Sequence, residues 1–208
     1  RTAQAGTRPS PGSERDRAAL TFSFTPDAGV TKVAFRYIMG SEEYNEYVGQ
    51  NFSDNITIRL TGGVYSGTNV AVVPGTSTGI DIDTINSTTN SAYYRDNTIA
   101  SPPVPDSVLD GHTTVLRTIS TVVPGTTYSA EIKVADFTDN RWNSAIFVDY
   151  FGAALLLDLD SNNSSGAALA NYNATFTEAG PAIAIADIDR TIINYDTTNI
   201  AGATIRLT

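Results

Sequence analysis

The chain has 208 residues, 41% of them hydrophobic and 17% charged, with no cysteine, enough apolar material for one large core or a core with a smaller companion. Disulfide and thiolate chemistry are absent by composition, and no apolar run approaches the ~20 residues of a membrane-crossing helix. Residues 1–20 carry Arg1, Arg8, Arg15 and Arg17 against Glu14 and Asp16, so the rest of this net −9 chain holds −11. With Lys32 and Lys133 the only lysines, that body lacks the clustered basic residues a nucleic-acid partner requires. Divalent cations are its natural partners.

In chain order, residues 1–17 form a polar arm with Pro9, Pro11 and Gly12 and no apolar side chain larger than alanine. Alone, such an arm is expected to be disordered. Period-2 alternation then dominates: Leu20, Phe22 and Phe24; Val33, Phe35, Tyr37 and Met39; Ile56, Ile58 and Leu60; Val70 and Val72; Ile80 and Ile82. It continues through Val115, Arg117 and Ile119, through Ala130, Ile132 and Val134, and through Ala145 and Phe147. Each set reads as a strand with one buried face, and the clusters at 61–63, 74–75 and 124–125 read as turns. No dozen-residue window carries helical spacing with a cap, so the predicted fold class is all-β, an antiparallel, jelly-roll-like sandwich. Residues 86–110, long, polar and holding Pro102, Pro103 and Pro105, are expected as a surface excursion.

After Leu157 the texture becomes polar and acidic, and residues 158–208 are predicted to form a second, smaller, incomplete β module with short strands at 174–177, 183–187, 191–194 and 203–207. An immunoglobulin-type sandwich needs about seven strands, so completion from outside the chain is expected. The domain reading is therefore an arm at 1–17, a sandwich at 18–157 and a partial module at 158–208. The chain starts at Arg1 with no basic-then-apolar leader, which reads as a mature form or a piece of a longer polypeptide.

The run Phe35-Arg36-Tyr37-Ile38-Met39-Gly40-Ser41-Glu42-Glu43-Tyr44-Asn45-Glu46-Tyr47-Val48, followed by Phe52-Ser53-Asp54, resembles the signature of the bacterial choice-of-anchor L domain. So do Asp110-Gly111-His112-Thr113-Thr114-Val115-Leu116, Pro124-Gly125-Thr126-Thr127-Tyr128, and Ala135-Asp136-Phe137-Thr138-Asp139 with Asn143-Ser144-Ala145-Ile146-Phe147. The resemblance implies an extracellular, surface-attached bacterial protein related to adhesin modules, with no enzymatic activity. Two positions depart from the pattern: Asn143 stands where an aspartate is expected, and Asn55 where an apolar residue is expected. From Asp158 onward the chain resembles the opening of the cadherin-like or immunoglobulin-like repeats of bacterial surface proteins, whose acidic junctions often hold calcium.

Calcium takes six to eight oxygen ligands, so it needs carboxylates and carbonyls gathered by loops. Asp136 and Asp139 can share one ion across a four-residue turn, with Asn140, Asn143 or a backbone carbonyl adding ligands; Glu42, Glu43, Asp54 and Asp110 are the other candidates. The competing reading is that these are solvated loop acids and turn caps. Catalysis is a poor fit. Glu42 and Glu43 point to opposite faces if extended, Glu43 pairs with Glu46 only within a turn, and His112 follows Asp110-Gly111 as a turn residue. Tyr44, Tyr47 and Trp142, with Tyr93 and Tyr94, lie in or beside loops and can stack on a sugar or a peptide, although Trp142 reads more readily as a lid over the sandwich end than as a ligand platform. Together these features point to a non-enzymatic extracellular bacterial protein, a calcium-stabilised subunit of a surface structure or filament. Its partners are then copies of itself, joined through the N-terminal arm and the C-terminal half-module. The alternative is a monomeric adhesin module that grips a peptide or glycan.

Overall fold

The computed structural model describes residues 14–50, 52–98, 108–137, 141–162, 164–167 and 172–195. The chain divides into two compact units, Arg1–Gly152 and Ala153–Thr208.

The first unit is an open, all-β sandwich of antiparallel sheets. One sheet has the order β1 (Glu14–Phe24), β9 (Tyr128–Phe137), β3 (Asn55–Gly62), β4 (Tyr65–Asn69), with the short β5 (Ile80–Asp81) also on β3. The other has the order β10 (Ser144–Ala153), β2 (Lys32–Ser41), β7 (Gly111–Thr113), β6 (Tyr94–Asp96), with β8 (Leu116–Thr121) on β2 ahead of β7. Alternation in the central strands puts Phe35, Tyr37 and Met39 of β2 and Ile56, Ile58 and Leu60 of β3 wholly inside, where Ile80, Ile82, Ala130 and Ile132 join them. Each such aliphatic or aromatic side chain contributes about 1.5–3 kcal/mol by leaving water. At one end of the interior, Phe151 packs edge-on against Phe22 and Phe24, its ring centroid 5.0 and 4.9 Å from theirs.

Three strand segments present the opposite parity to that expected. Ala71 and Val73 are buried, not Val70 and Val72; Leu116, Thr118 and Ser120 face in, while Val115 is half-exposed; and Ile146 packs on the core, while Phe147 is exposed. Hydroxyl chemistry explains the second case. The Thr118 hydroxyl donates to the Val70 carbonyl (2.7 Å) and accepts from the Tyr37 hydroxyl (3.1 Å), so a polar side chain sits inside with its partners supplied. The polar arm also ends earlier than expected. Glu14–Arg17 already belong to β1, with Arg17 opposite Ala135, and Lys133 pairs with Glu14 at 2.5 Å. A neighbouring strand supplies backbone partners that composition alone does not reveal. Residues 1–13 lie outside the described residues.

The expected excursion at 86–110 is partly structural. Asn86 is buried, donating to the carbonyls of Ile82 and Asp83 and accepting from the Thr88 and Thr89 amides, and buried Asn97 donates to the Leu109 carbonyl. Between them run a 3-10 turn (Ser91–Tyr93) and β6. Residues 99–107 lie outside the described residues.

In the second unit β11 (Leu155–Asp158) pairs with β12 (Thr191–Asn194), with Leu157 opposite Ile192. Of the strands expected here the one at 191–194 forms, while 174–177 and 183–187 make no ladder among the described residues; 203–207 lies outside them. The unit begins at Ala153, ahead of the expected boundary at 157/158, because residues 155–158 supply the partner of β12. A lone two-stranded ladder is marginal in water, and Leu155, Leu157 and Ile192 are all more than 45% exposed.

Candidate metal centre

Four strand ends meet at one end of the sandwich. β2 stops at Ser41, whose side-chain oxygen accepts the Glu43 amide (3.0 Å), and the turn continues as Tyr47 donates to the Glu43 carbonyl (3.1 Å). Asp54 immediately precedes β3. The register Asn55 opposite Ala135 sets it laterally beside Asp136 near the end of β9, and Ser144 opens β10. The result brings together Glu43, Asp54 and Asp136, respectively 0, 0 and 7% exposed, each offering a carboxylate oxygen within 4.8 Å of the other two.

Asp54 is the pivot of this group. It accepts from the Ser144 hydroxyl (2.6 Å) and the Phe137 amide (3.3 Å). Burial pushes its carboxyl above the usual carboxylate range, and hydrogen bonds from Ser144, Asp136, Phe137 and Glu43 oppose that rise. At a separation of 4.8 Å or less, two charged carboxylates repel by at least about 3 kcal/mol with an effective dielectric constant near 20. Three such pairs cannot all stay ionised without a cation, so the group takes up protons or a metal ion. Oxygen-only ligands suit a hard cation such as calcium.

The floor beneath the group is aromatic. Tyr44 is fully buried against Tyr94, ring centroids 4.9 Å apart, and Asn45 donates to the Tyr94 hydroxyl (2.9 Å). Burial drives the Tyr44 hydroxyl far above its ordinary value, with Tyr94, Asp81, Asp54 and Asp83 adding to the effect, and raises Tyr94 to about 12. Tyr44 is thus a core residue and not a loop platform. Asp83 clips the adjoining loop, accepting from the Gly49 amide (2.6 Å) and the Ser53 hydroxyl (3.0 Å).

Glu42, Asp110, Asn143, Tyr47 and Trp142 are not members of the buried group. Glu42 accepts from both the Asn143 amide (2.5 Å) and the Asn143 side chain (2.9 Å), and its own amide donates back to the Asn143 carbonyl (3.0 Å). Asp110 donates its amide to the Ser41 carbonyl (3.1 Å). Burial raises the Asp110 carboxyl, with Glu46, Glu42 and Asp96 adding to the rise. Asp139 lies outside the described residues. Tyr47 packs against Phe52 and Trp142; Trp142 is half-exposed, with a left-handed backbone at φ 64. Ser41 and Ser144, which orient Glu43 and Asp54, were not among the sequence candidates. Their only signal was position, each at the edge of an acid-bearing turn.

A second acidic group occupies the second unit, where Asp160, Asp187 and Asp189 likewise offer oxygens within 4.8 Å of one another. Asp160 is buried and accepts the amides of Ser164 (3.0 Å) and Ser165 (2.8 Å); hydrogen bonding, first from the Ser165 side chain, holds its carboxyl below the usual range. Sequence reading marked the 158–166 junction as acidic but did not connect it to the Asp-x-Asp pair at 187 and 189.

Residues 3–151 match the family model of the Choice-of-anchor L domain. The chain belongs to that family. No curated protein and no solved structure matches the chain. Choice-of-anchor L domains are surface-anchoring domains not known as enzymatic, which makes this a bacterial surface-associated protein. The match spans both sheets and every residue of the buried group. Of the two departures from the family pattern, Asn143 engages Glu42, and Asn55 opens β3 with its side chain on the Ser53 carbonyl (3.3 Å). Among the described residues, no helix is long and apolar enough to cross a membrane.

Proposed function

We propose that this Choice-of-anchor L domain is a calcium-stabilised structural module of a bacterial surface assembly. The buried group of Glu43, Asp54 and Asp136 carries that reading: it ties the turn after β2, the start of β3 and the end of β9 to one point, and a cation there converts mutual repulsion into a cross-link. The domain is non-enzymatic in this account, and its work is mechanical. Assembly proceeds by strand or arm exchange between copies. β1 supports this, because it is an 11-residue edge strand, and Arg17, Ala18, Ala19, Leu20 and Thr21 along it are all exposed. An exposed edge offers backbone donors and acceptors to an incoming strand without demanding a particular side-chain sequence. The test is electron microscopy of the protein with and without residues 1–13. Ordered polymers that are lost or shortened on truncation are expected, while equal assembly by both proteins contradicts exchange through the arm. The half-exposed Trp142 favours a second reading, a monomeric adhesin module whose loops hold a peptide or glycan, and dispersed monomers in the same images would support it.

A further inference from the structure

Beside the buried carboxylates lies an exposed aromatic shelf with acids around it. Tyr47 packs edge-on against Phe52, ring centroids 5.3 Å apart, and at a tilt against Trp142, 6.4 Å away; Trp142 is 51% exposed. The reciprocal hydrogen bonds between Glu42 and Asn143 hold the loop that presents the Trp142 ring. Glu42, Glu46 and Asp110 supply the charge. Ser41 pairs with Gly111 in the β2–β7 ladder, which brings Glu42 alongside Asp110, and Glu46 is exposed on the same turn as Tyr47. An aromatic face attracts a cation through its ring quadrupole, and a carboxylate accepts the fork of a guanidinium. Rings and carboxylates together therefore suit an arginine.

We propose that this shelf docks residues 1–13 of a neighbouring copy, with Arg8 as the side chain taken by the rings and carboxylates; the proposal rests on the assembly reading above and names its acceptor surface. Charge complementarity identifies the occupant. Residues 1–13 hold Arg1 and Arg8 and no acid, whereas residues 21–208 carry −11.

Trp142 is the only tryptophan in the chain, so its emission reads shelf occupancy directly. The experiment measures Trp142 emission and light scattering of the full chain across a wide dilution series, for wild type, Arg8→Ala and Glu46→Gln. In wild type, emission should shift on dilution in step with dissociation. Arg8→Ala should show the diluted-state emission throughout and associate roughly tenfold more weakly; Glu46→Gln should change in the same direction, and added salt should weaken wild-type association. Emission indifferent both to dilution and to Arg8→Ala overturns the proposal. Emission that responds to Arg8→Ala but not to dilution places the chain's own arm on the shelf and overturns the neighbouring-copy form. If deletion of residues 1–13 abolishes polymers while Trp142 ignores Arg8, exchange through the arm stands and the shelf is not its acceptor. A wild type that never associates removes the assembly reading itself.

Discussion

Replacing Asp54 by asparagine keeps the side-chain shape and removes one of three buried charges, so its effect should depend on calcium. With calcium at a hundred times its dissociation constant, a ligand that binds only the folded state contributes about 2.7 kcal/mol. Loss of that contribution lowers the midpoint by about 5–10 °C for a domain of this size. In EDTA the balance differs. The substitution relieves two carboxylate contacts, each within 4.8 Å and worth at least about 3 kcal/mol when fully ionised, but proton uptake by the wild-type group already relieves most of that. Against the remaining gain, a single amide oxygen cannot serve both the Ser144 hydroxyl and the Phe137 amide, which Asp54 now accepts on separate oxygens, at a cost of about 1 kcal/mol. Asp54→Asn should therefore melt within a few degrees of wild type in EDTA and well below it in calcium. Because the folded-state carboxyl titrates above its ordinary value of 3.8, its favourable protonated form is complete below that pH and lost as pH rises through the raised value. Wild type in EDTA should thus gain stability relative to Asp54→Asn as pH falls from neutrality. Differential scanning calorimetry in the two media reads all of this. An equal displacement of the variant in EDTA and in calcium would refute the reasoning.

Two further outcomes follow from the geometry around the group. Gly111→Ala places a methyl 2.6 Å from the Tyr94 hydroxyl oxygen and 2.9 Å from the Tyr44 Cβ, an overpacking that should destabilise by about 1–3 kcal/mol in urea unfolding; an unchanged midpoint would mean the Tyr44–Tyr94 pair yields freely. Burial raises the Tyr37 hydroxyl from 10.0 to about 12, so stability is full below pH 10 and lost as pH climbs through 12, by about 3 kcal/mol for this group. Tyr37→Phe should lose about 1 kcal/mol at neutral pH with its bond to Thr118, and show a shallower alkaline limb; parallel limbs for the two proteins would contradict that assignment.

What the sequence disclosed depended on where the physics is local. Strands β2, β3 and β9 were legible because their inward positions are aliphatic or aromatic at strict period two. The parity of β8 was not, because Thr118 faces the core with hydroxyl partners that only the fold supplies. In β10 Phe147 is the larger side chain, yet Ile146 is the one that packs inward. The opposite facing of Glu42 and Glu43 was expected of an extended segment, whereas β2 stops at Ser41 and the two acids lie in a turn, where one holds Asn143 and the other joins the buried group. That Asp54 would lie beside Asp136 follows from the β3–β9 register, a long-range pairing that no local spacing encodes. Residues 174–187 alternate well enough to suggest strands, but alternation needs a partner ladder, and among the described residues of the second unit only β11 and β12 form one.

Isothermal titration of calcium into the metal-stripped full chain, beside a Glu43→Gln/Asp136→Asn variant, tests the central claim most directly. The variant retains Asp160, Asp187 and Asp189, so any binding by the second unit persists in both titrations and cancels in the comparison. The account predicts a saturable site in wild type that is missing from the variant, with a melting midpoint that rises with calcium in wild type only. Identical titrations for the two proteins, or a wild-type midpoint indifferent to both EDTA and calcium, would contradict it.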